Sequence, residues 1–410
     1  MKHFLNFHLI NSKKVKITLI KHELNKYYNG GLNFLVKLNS GKEQENAIHK
    51  IQNFLLVNKK EQENFDLQIN VLFEDSIFKS LKTQNIVLNL KKADFHEESF
   101  RTSLLPNFFE IEFQKKIVQT IDRNYEFLHH PYMVTIKKDN VIKIYRDIPT
   151  NKEFDSILQH YFIYTFSKDE PVLKNINQFI ELLNLKAKVN YLFKSQLLAS
   201  YLTNTKKPIL VVNIDKNYIT LNVTRLGKVV DYQRLEVGTS SFIKAFLNSF
   251  NKLSKDEILS RLTYIHQTSE KDLADDLHLK QLKNGLDKLL SFLHYEINRR
   301  INEFNSKHNA KIITEIAFTG ELAWLVNSLM DYFEIKSPQF NVSSIESKND
   351  LFIQSEYNDK IINQLVYYGD KLMVDNDQVQ TQTSEIEIGK ASPKSFLHKL
   401  KEFLTLQKGE

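Results

Sequence analysis

An α/β protein with an internally repeated core is expected here, on three observations. The first is Lys207–Gly238, KPILVVNIDKNYITLNVTRLGKVVDYQRLEVG, which reads as three strands in a row. Pro208–Ile214 is apolar but for Asn213, as in a strand buried on both faces. Tyr218–Thr224 alternates apolar and polar residues, Gly227 marks a turn, and Lys228–Val237 returns as a third strand. A helix then opens at Thr239, where Thr239, Ser240 and Ser241 offer capping hydroxyls. The second observation is that the same order begins the chain. Strands Phe4–Ile10, Val15–His22 and Leu32–Leu38 precede a helix at Ser40–Asn58 and a strand at Leu67–Phe73. The third is that residues 77–190, between the two repeats, are too many for a loop and must fold.

Taken in order, Asn29-Gly30-Gly31 is a turn signal, and the helix after it carries Ile48, Ile51, Phe54, Leu55 and Asn58 at the 3.6 period. The intervening segment reads as α+β. Strands are expected at Ile86–Leu90, Met133–Ile136, Val141–Tyr145, Tyr161–Phe166 and Lys188–Phe193, with helices at Phe109–Tyr125 and Val172–Leu183. Gln196–Tyr201 is a connecting helix. Beyond the second repeat's first strands, Ser254 and Glu257 make a capping box for Lys255–Tyr264. Gln281–Phe304 is a long helix striped by Leu282, Leu286, Leu289, Leu290, Leu293, Ile297, Ile301 and Phe304. Strands between Ile265 and Lys280 are barely legible. Arg299 and Arg300 are placed on the exposed side of the long helix, as candidates for an acidic peptide.

Composition limits the function classes. A hydrophobic share of 42% and a charged share of 26% are ordinary for a globular protein, and 410 residues hold two or more cores. No run approaches the roughly 18 apolar residues of a membrane span, and the N-terminus is charged too soon for a signal peptide. The absence of cysteine excludes disulfides and thiolate metal sites and fits a cytoplasmic protein. The net charge of +7 is spread along the whole chain, so no nucleic-acid partner is expected. His129-His130 has no third ligand at metal spacing and reads as a surface or turn pair; Trp324 reads as core. No Ser-His-Asp, paired-carboxylate or HExxH constellation stands out.

The C-terminus carries a separate signal. Residues 375–391 are polar and lack an apolar period, as in a flexible linker. Ser392-Pro393 then supplies an N-cap and a first-turn proline. Phe396, Leu397, Leu400, Phe403 and Leu404 share one face, flanked by Lys394, Lys399, Lys401 and Lys408. That pattern is a basic amphipathic helix suited to an anionic membrane surface.

The element order and several local patterns resemble the FtsA family of actin-like bacterial cell-division proteins. The resemblance rests on Phe127–Pro131 (FLHHP), Tyr161–Leu202, Lys228–Ser241, Ile312–Phe333 and Tyr357–Met373. It covers nearly the whole chain, through degenerate motifs. It implies an actin-like ATPase fold (a duplicated ribonuclease H-like core) with an inserted 1C (SHS2-like) subdomain. The division would be 1–76 (1A), 77–190 (1C), 191–251 (2A), 252–307 (a reduced 2B), 308–374 (2A and a closing helix), 375–391 (linker) and 392–410 (membrane-targeting helix).

The resemblance also implies a function. Such a protein tethers FtsZ, through FtsZ's C-terminal peptide, to the inner face of the cytoplasmic membrane at the division site, and self-associates into dimers or filaments. ATP and Mg would sit at two loops. On this chain the matching positions are Asn11, Ser12 and Lys13, then Asn213, Asp215, Lys216 and Asn217, with Gly238, Thr239, Gly320 and Glu321 around them. Both loops lack the glycines that let backbone approach phosphate, and the first lacks an Asp as well. Any ATPase activity is therefore expected to be weak. Two alternatives stay open. One is a PilM-like cytoplasmic adaptor of a pilus or secretion machine, which grips a membrane partner's tail. The other is a kinase of the same superfold, which would need an intact phosphate-loop glycine set and a catalytic Asp in the first repeat.

Overall fold

A computed structural model describes residues 2–23, 26–61, 66–91, 105–149, 152–185, 187–202, 207–249, 253–267, 277–307, 313–345, 361–362 and 364–366. Among the described residues the chain divides into two compact units, one of residues up to 201 together with 361–366, the other of residues 202–345.

In the first unit, strands β1 (Lys2–Asn11), β2 (Lys14–Glu23) and β3 (Lys26–Lys37) form an antiparallel meander. Helix α1 (Gly41–Glu61) crosses over to β4 (Asp66–Phe73), which lies parallel to β1, and β9 (Lys188–Phe193) is parallel to β4. The sheet order is β3-β2-β1-β4-β9. Apolar side chains line both faces of β1, where Phe4, Leu5, Phe7 and Leu9 are all fully buried. The three parallel strands β1, β4 and β9 carry an amide ladder at one register position. Asn70 Nδ2 donates to Asn6 Oδ1 (2.9 Å), and Asn190 Nδ2 donates to Asn70 Oδ1 (3.2 Å). These two bonds satisfy side-chain amides across the strands, as buried amides require.

Asn29-Gly30-Gly31 is not a turn. It lies inside β3, at a bulge where the pairing shifts between Thr18 and Ile20. Gly31 absorbs the extra length at φ +89°, and a Cβ on Gly30 would stand 2.7 Å from the Leu19 carbonyl oxygen. The same residue type that makes a turn cheap also makes a bulge cheap.

Between β4 and β9 the chain builds a separate antiparallel sheet, ordered β5-β8-β6-β7 from Lys82–Lys91, Ser156–Ser167, Tyr125–Lys138 and Val141–Tyr145. Helix α2 (Leu105–Thr120) covers one face with Phe109, Phe113 and Ile117. It stops before the expected Tyr125, because Asp122 Oδ1 accepts the Asn124 N–H in an Asx turn that leads straight into β6. Helix α3 (Pro171–Leu183) packs on α1, and α4 (Lys194–Ser200) follows β9. Ile362, Leu365 and Val366, from the expected closing helix, are buried against Phe4, Ile20, Leu72, Leu192 and Leu197.

The second unit repeats the sheet. Strands β10 (Ile209–Ile214), β11 (Ile219–Arg225) and β12 (Lys228–Leu235) form the meander; β13 (Glu315–Gly320) and β14 (Asn341–Ser344) add in parallel, in the order β12-β11-β10-β13-β14. The β11–β12 turn has positive φ at both Leu226 (53°) and Gly227 (74°), the tight hairpin geometry that matches strand twist. Helices α5 (Thr239–Ser249), α6 (Lys255–Gln267), α7 (Leu277–Lys307) and α8 (Ala323–Lys336) pack on one another. Trp324 on α8 is buried, as a core residue should be. Residues 265–267 and 277–280, where strands were sought, are helical. Among the described residues no helix is long and apolar enough to cross a membrane. The membrane-helix residues Lys394, Phe396, Leu397, Lys399, Leu400, Lys401, Phe403 and Leu404 lie outside the described residues.

Candidate functional site

Open α/β sheets bind ligands outside the carboxyl ends of their parallel strands, so those ends are the place to look in each unit.

In the second unit, β10 ends at Ile214 and β13 at Gly320, and the residues that follow are Asp215 and Glu321. The loop Asn213–Asn217 turns back on itself, with the Asp215 N–H donating to the Tyr218 carbonyl (2.9 Å). Asp215 is buried, and its carboxylate accepts Asn213 Nδ2–H at 2.7 Å. The start of α5 closes on this loop: the Thr239 N–H donates to the Asp215 carbonyl (3.0 Å) and the Ser240 N–H to the Lys216 carbonyl (2.8 Å). Only glycine permits that approach at 238, since a Cβ there would stand 2.5 Å from backbone atoms of Asp215, Asn217 and Tyr218. Gly320 is pressed likewise on the Ile214 carbonyl, at 2.6 Å from a Cβ, and the Glu321 N–H donates to that same oxygen (3.0 Å). Thr239 Oγ1 donates to Glu321 Oε2 across 3.4 Å, while Lys216 and Asn217 are exposed. The structure thus brings together Asn213, Asp215, Lys216, Asn217, Gly238, Thr239, Gly320 and Glu321.

These residues do not fit a phosphate cradle. The two glycines serve packing of turn on turn, and every position from 213 to 217 carries a side chain. The N–H groups of Asp215, Thr239 and Ser240 are spent on carbonyls, and the residues directly after β10 and β13, Asp215 and Glu321, are acidic. Among the described residues, no three His, Cys, Asp or Glu side chains stand close enough together to hold a metal ion.

In the first unit, Asn11, Ser12 and Lys13 form the exposed β1–β2 hairpin, tightened by Lys13 N–H donating to Asn11 Oδ1 (2.9 Å). The polar density lies beside it, at strand ends that sequence reasoning passed over. His8 Nε2 is 2.8 Å from Glu74 Oε1, and Lys194 Nζ is 3.0 Å from Glu74 Oε2. Burial works against the Glu74 charge, but Lys194 first and then His8 outweigh it and hold its pKa below the ordinary carboxylate range. One residue on, Asp75 accepts both the Ser195 N–H (3.1 Å) and the Ser195 Oγ–H (3.0 Å). Tyr164, from the inserted sheet, lies 2.8 Å from Ser195 Oγ. Since that hydroxyl's single proton goes to Asp75, the tyrosine is the donor. Gln196 accepts the Phe193 N–H (2.7 Å) and donates to His130 Nδ1 (2.9 Å). The first turn of α4 therefore pins the inserted sheet to the β1-β4-β9 strand ends.

Several expectations change in this light. His129 and His130 are not a surface or turn pair. They alternate across β6, the His129 ring tilted against Phe113 of α2 with centroids 4.2 Å apart, and His130 buried against Gln196. Arg300 does not lie on an exposed face: it is buried, 2.8 Å from Asp231 on β12. Arg299 does reach solvent, where it is paired with Glu296 (2.7 Å) and Glu303. The available signal for α4 was the run Lys194-Ser195-Gln196 directly after an apolar strand, mirrored by Glu74-Asp75 after β4.

No protein-family model matches the chain, and no curated protein matches it in sequence. Among solved structures, a PilM–PilN type IV pilus biogenesis complex is similar at TM-score 0.51 and 11% identity, over 89% of this chain and 98% of that one. With the duplicated sheet, this decides the fold. The chain has the actin-like ATPase fold. Weaker likenesses include MreB5 of Spiroplasma citri bound to ADP (TM-score 0.39, 9% identity, 92% of this chain and 99% of that one). A Bacteroides thetaiotaomicron protein with an actin-like ATPase fold gives TM-score 0.35 and 11% identity, over 89% of this chain and 95% of that one.

Proposed function

We propose that this actin-like chain is an adaptor, which holds a partner protein and uses the fold as a scaffold instead of a nucleotide-driven engine. The observation that carries the reading is the loop Asn213–Asn217, whose backbone is turned inward onto α5 and which has no glycine to admit phosphate. The basic amphipathic pattern of residues 392–410 extends it: the adaptor tethers its partner to the inner, anionic face of the cell membrane. The partner implied by the FtsA resemblance is the FtsZ C-terminal peptide at the division site, and self-association would add avidity to a weak single anchor. Any ATP or Mg bound would be structural.

A second reading is a PilM-like adaptor of a pilus or secretion machine. The similarity to the PilM–PilN complex, spanning 98% of that chain, favours it. Liposome co-sedimentation of the full chain and of a chain ending at Lys390 separates the two. The tether reading requires that the full chain pellets with anionic vesicles, recruits the FtsZ tail peptide, and loses both on truncation. A full chain that stays soluble with such vesicles defeats it and leaves the second reading.

A further inference from the structure

The carboxyl ends of β1, β4 and β9 are filled by the chain's own charges. His8 comes from β1, Glu74 directly follows β4 and Lys194 directly follows β9. Each Glu74 oxygen meets one nitrogen, at 2.8 Å for His8 Nε2 and 3.0 Å for Lys194 Nζ. All three side chains are only 11–12% exposed. Two nitrogen donors from different elements, converging on two oxygens of one anion, is also how a phosphate is gripped. We propose that Glu74 is a built-in substitute for an anionic ligand: it occupies the His8–Lys194 donor pair and closes this strand end to phosphate.

The neighbouring chemistry supports a closed site. A phosphate entering here would bring its charge against a buried carboxylate, and like charges in a poorly solvated site repel strongly. The adjacent carboxylate, Asp75, is engaged by the backbone and hydroxyl of Ser195. Glu74→Gln keeps the shape and removes the charge, leaving a buried lysine and histidine facing an uncharged amide. Such a pair should then accept an anion.

This inference deepens the adaptor reading and rests on it only in assuming that the chain does not turn over nucleotide. The test is titration calorimetry of the full chain with inorganic tripolyphosphate, on wild type, Lys194→Met, Glu74→Gln and Glu74→Gln with Lys194→Met. Glu74→Gln is expected to bind tripolyphosphate at least about tenfold more tightly than wild type, and the added Lys194→Met to abolish the gain. Wild-type binding that Lys194→Met alone abolishes overturns the proposal. So does a folded Glu74→Gln that binds no more tightly than wild type. If Glu74→Gln does not fold, Glu74→Ser replaces it: it also removes the charge and frees both nitrogens, so binding should still rise, and no rise overturns the proposal. Neither adverse result touches the adaptor reading, which liposome binding decides.

Discussion

Arg300 on α7 and Asp231 on β12 form an ion pair 2.8 Å long, with side chains 6% and 14% exposed. The long helix thereby fastens itself to the edge strand of the second sheet. Lys307 stands farther off, 3.9 Å from the same carboxylate. Breaking a buried pair on one side leaves the other charge uncompensated, which costs about 3–5 kcal/mol. Arg300→Met is therefore expected to destabilise the second unit by about that much in urea unfolding, while Arg300→Met with Asp231→Leu recovers most of the loss. Arg299→Ala, one position away, removes only solvent-screened contacts and should cost under about 1 kcal/mol.

Ser195 is the most connected residue of the α4 turn, meeting Asp75 through its N–H and hydroxyl and Tyr164 through the same oxygen. Ser195→Ala leaves both Asp75 and the Tyr164 hydroxyl short of a buried partner, at about 1–3 kcal/mol. Tyr164→Phe removes the donor and leaves the Ser195–Asp75 bond in place, so the smaller effect is expected there. Hydrogen exchange reads the consequence directly. In Ser195→Ala, amides of β6 and β8 should lose protection, because this contact holds the inserted sheet to the first.

The contrast between Arg300 and the apolar stripe of α7 shows what was legible in the sequence. Leu282, Leu286, Leu293 and Ile297 recur at helical spacing, so the helix and its buried face could be read directly. Arg300 sits at the margin of that face, and nothing in a local window says that Asp231, on another element, will meet it. The same holds for the α4 turn. Asp75 and Ser195 are 120 residues apart, and only the parallel pairing of β4 with β9 puts their positions side by side. Strands and helices follow from local periodicity; polar clusters assembled from strand ends do not. Asn29-Gly30-Gly31 failed for a different reason, because glycine serves bulges and turns alike and only the pairing of β2 with β3 distinguishes them.

Gly238→Ala tests whether the closed loop of the second unit is as tight as it stands. The added methyl would meet three backbone atoms at 2.5 Å, and backbone cannot swing aside as a flexible side chain can. Overpacking of this kind costs about 1–3 kcal/mol. The variant should melt below wild type, and the hydrogen bonds from Thr239 and Ser240 to the loop carbonyls should open first, visible as faster exchange of those two amides. Gly41→Ala is the control, since no atom lies within 4 Å of a Cβ there and the position starts α1.

His3 makes the first unit sensitive to acid. It is fully buried on β1, and burial first, then the nearby Lys21 charge, lowers its pKa from 6.5 to about 4. The folded chain therefore holds this imidazole neutral at a pH where the unfolded chain already binds a proton. Between pH 6.5 and about 4 the unfolded state carries more protons at this residue, so stability rises with pH across that window. The contribution is complete above the unfolded value of 6.5 and is lost progressively as the pH falls towards 4. Asp66, the partner that pulls the other way, is too weak to reverse the direction. His3→Gln removes the titration. Its midpoint in urea should change less between pH 7 and pH 5 than that of wild type, and a parallel pair of curves would show that His3 does not stay neutral in the fold.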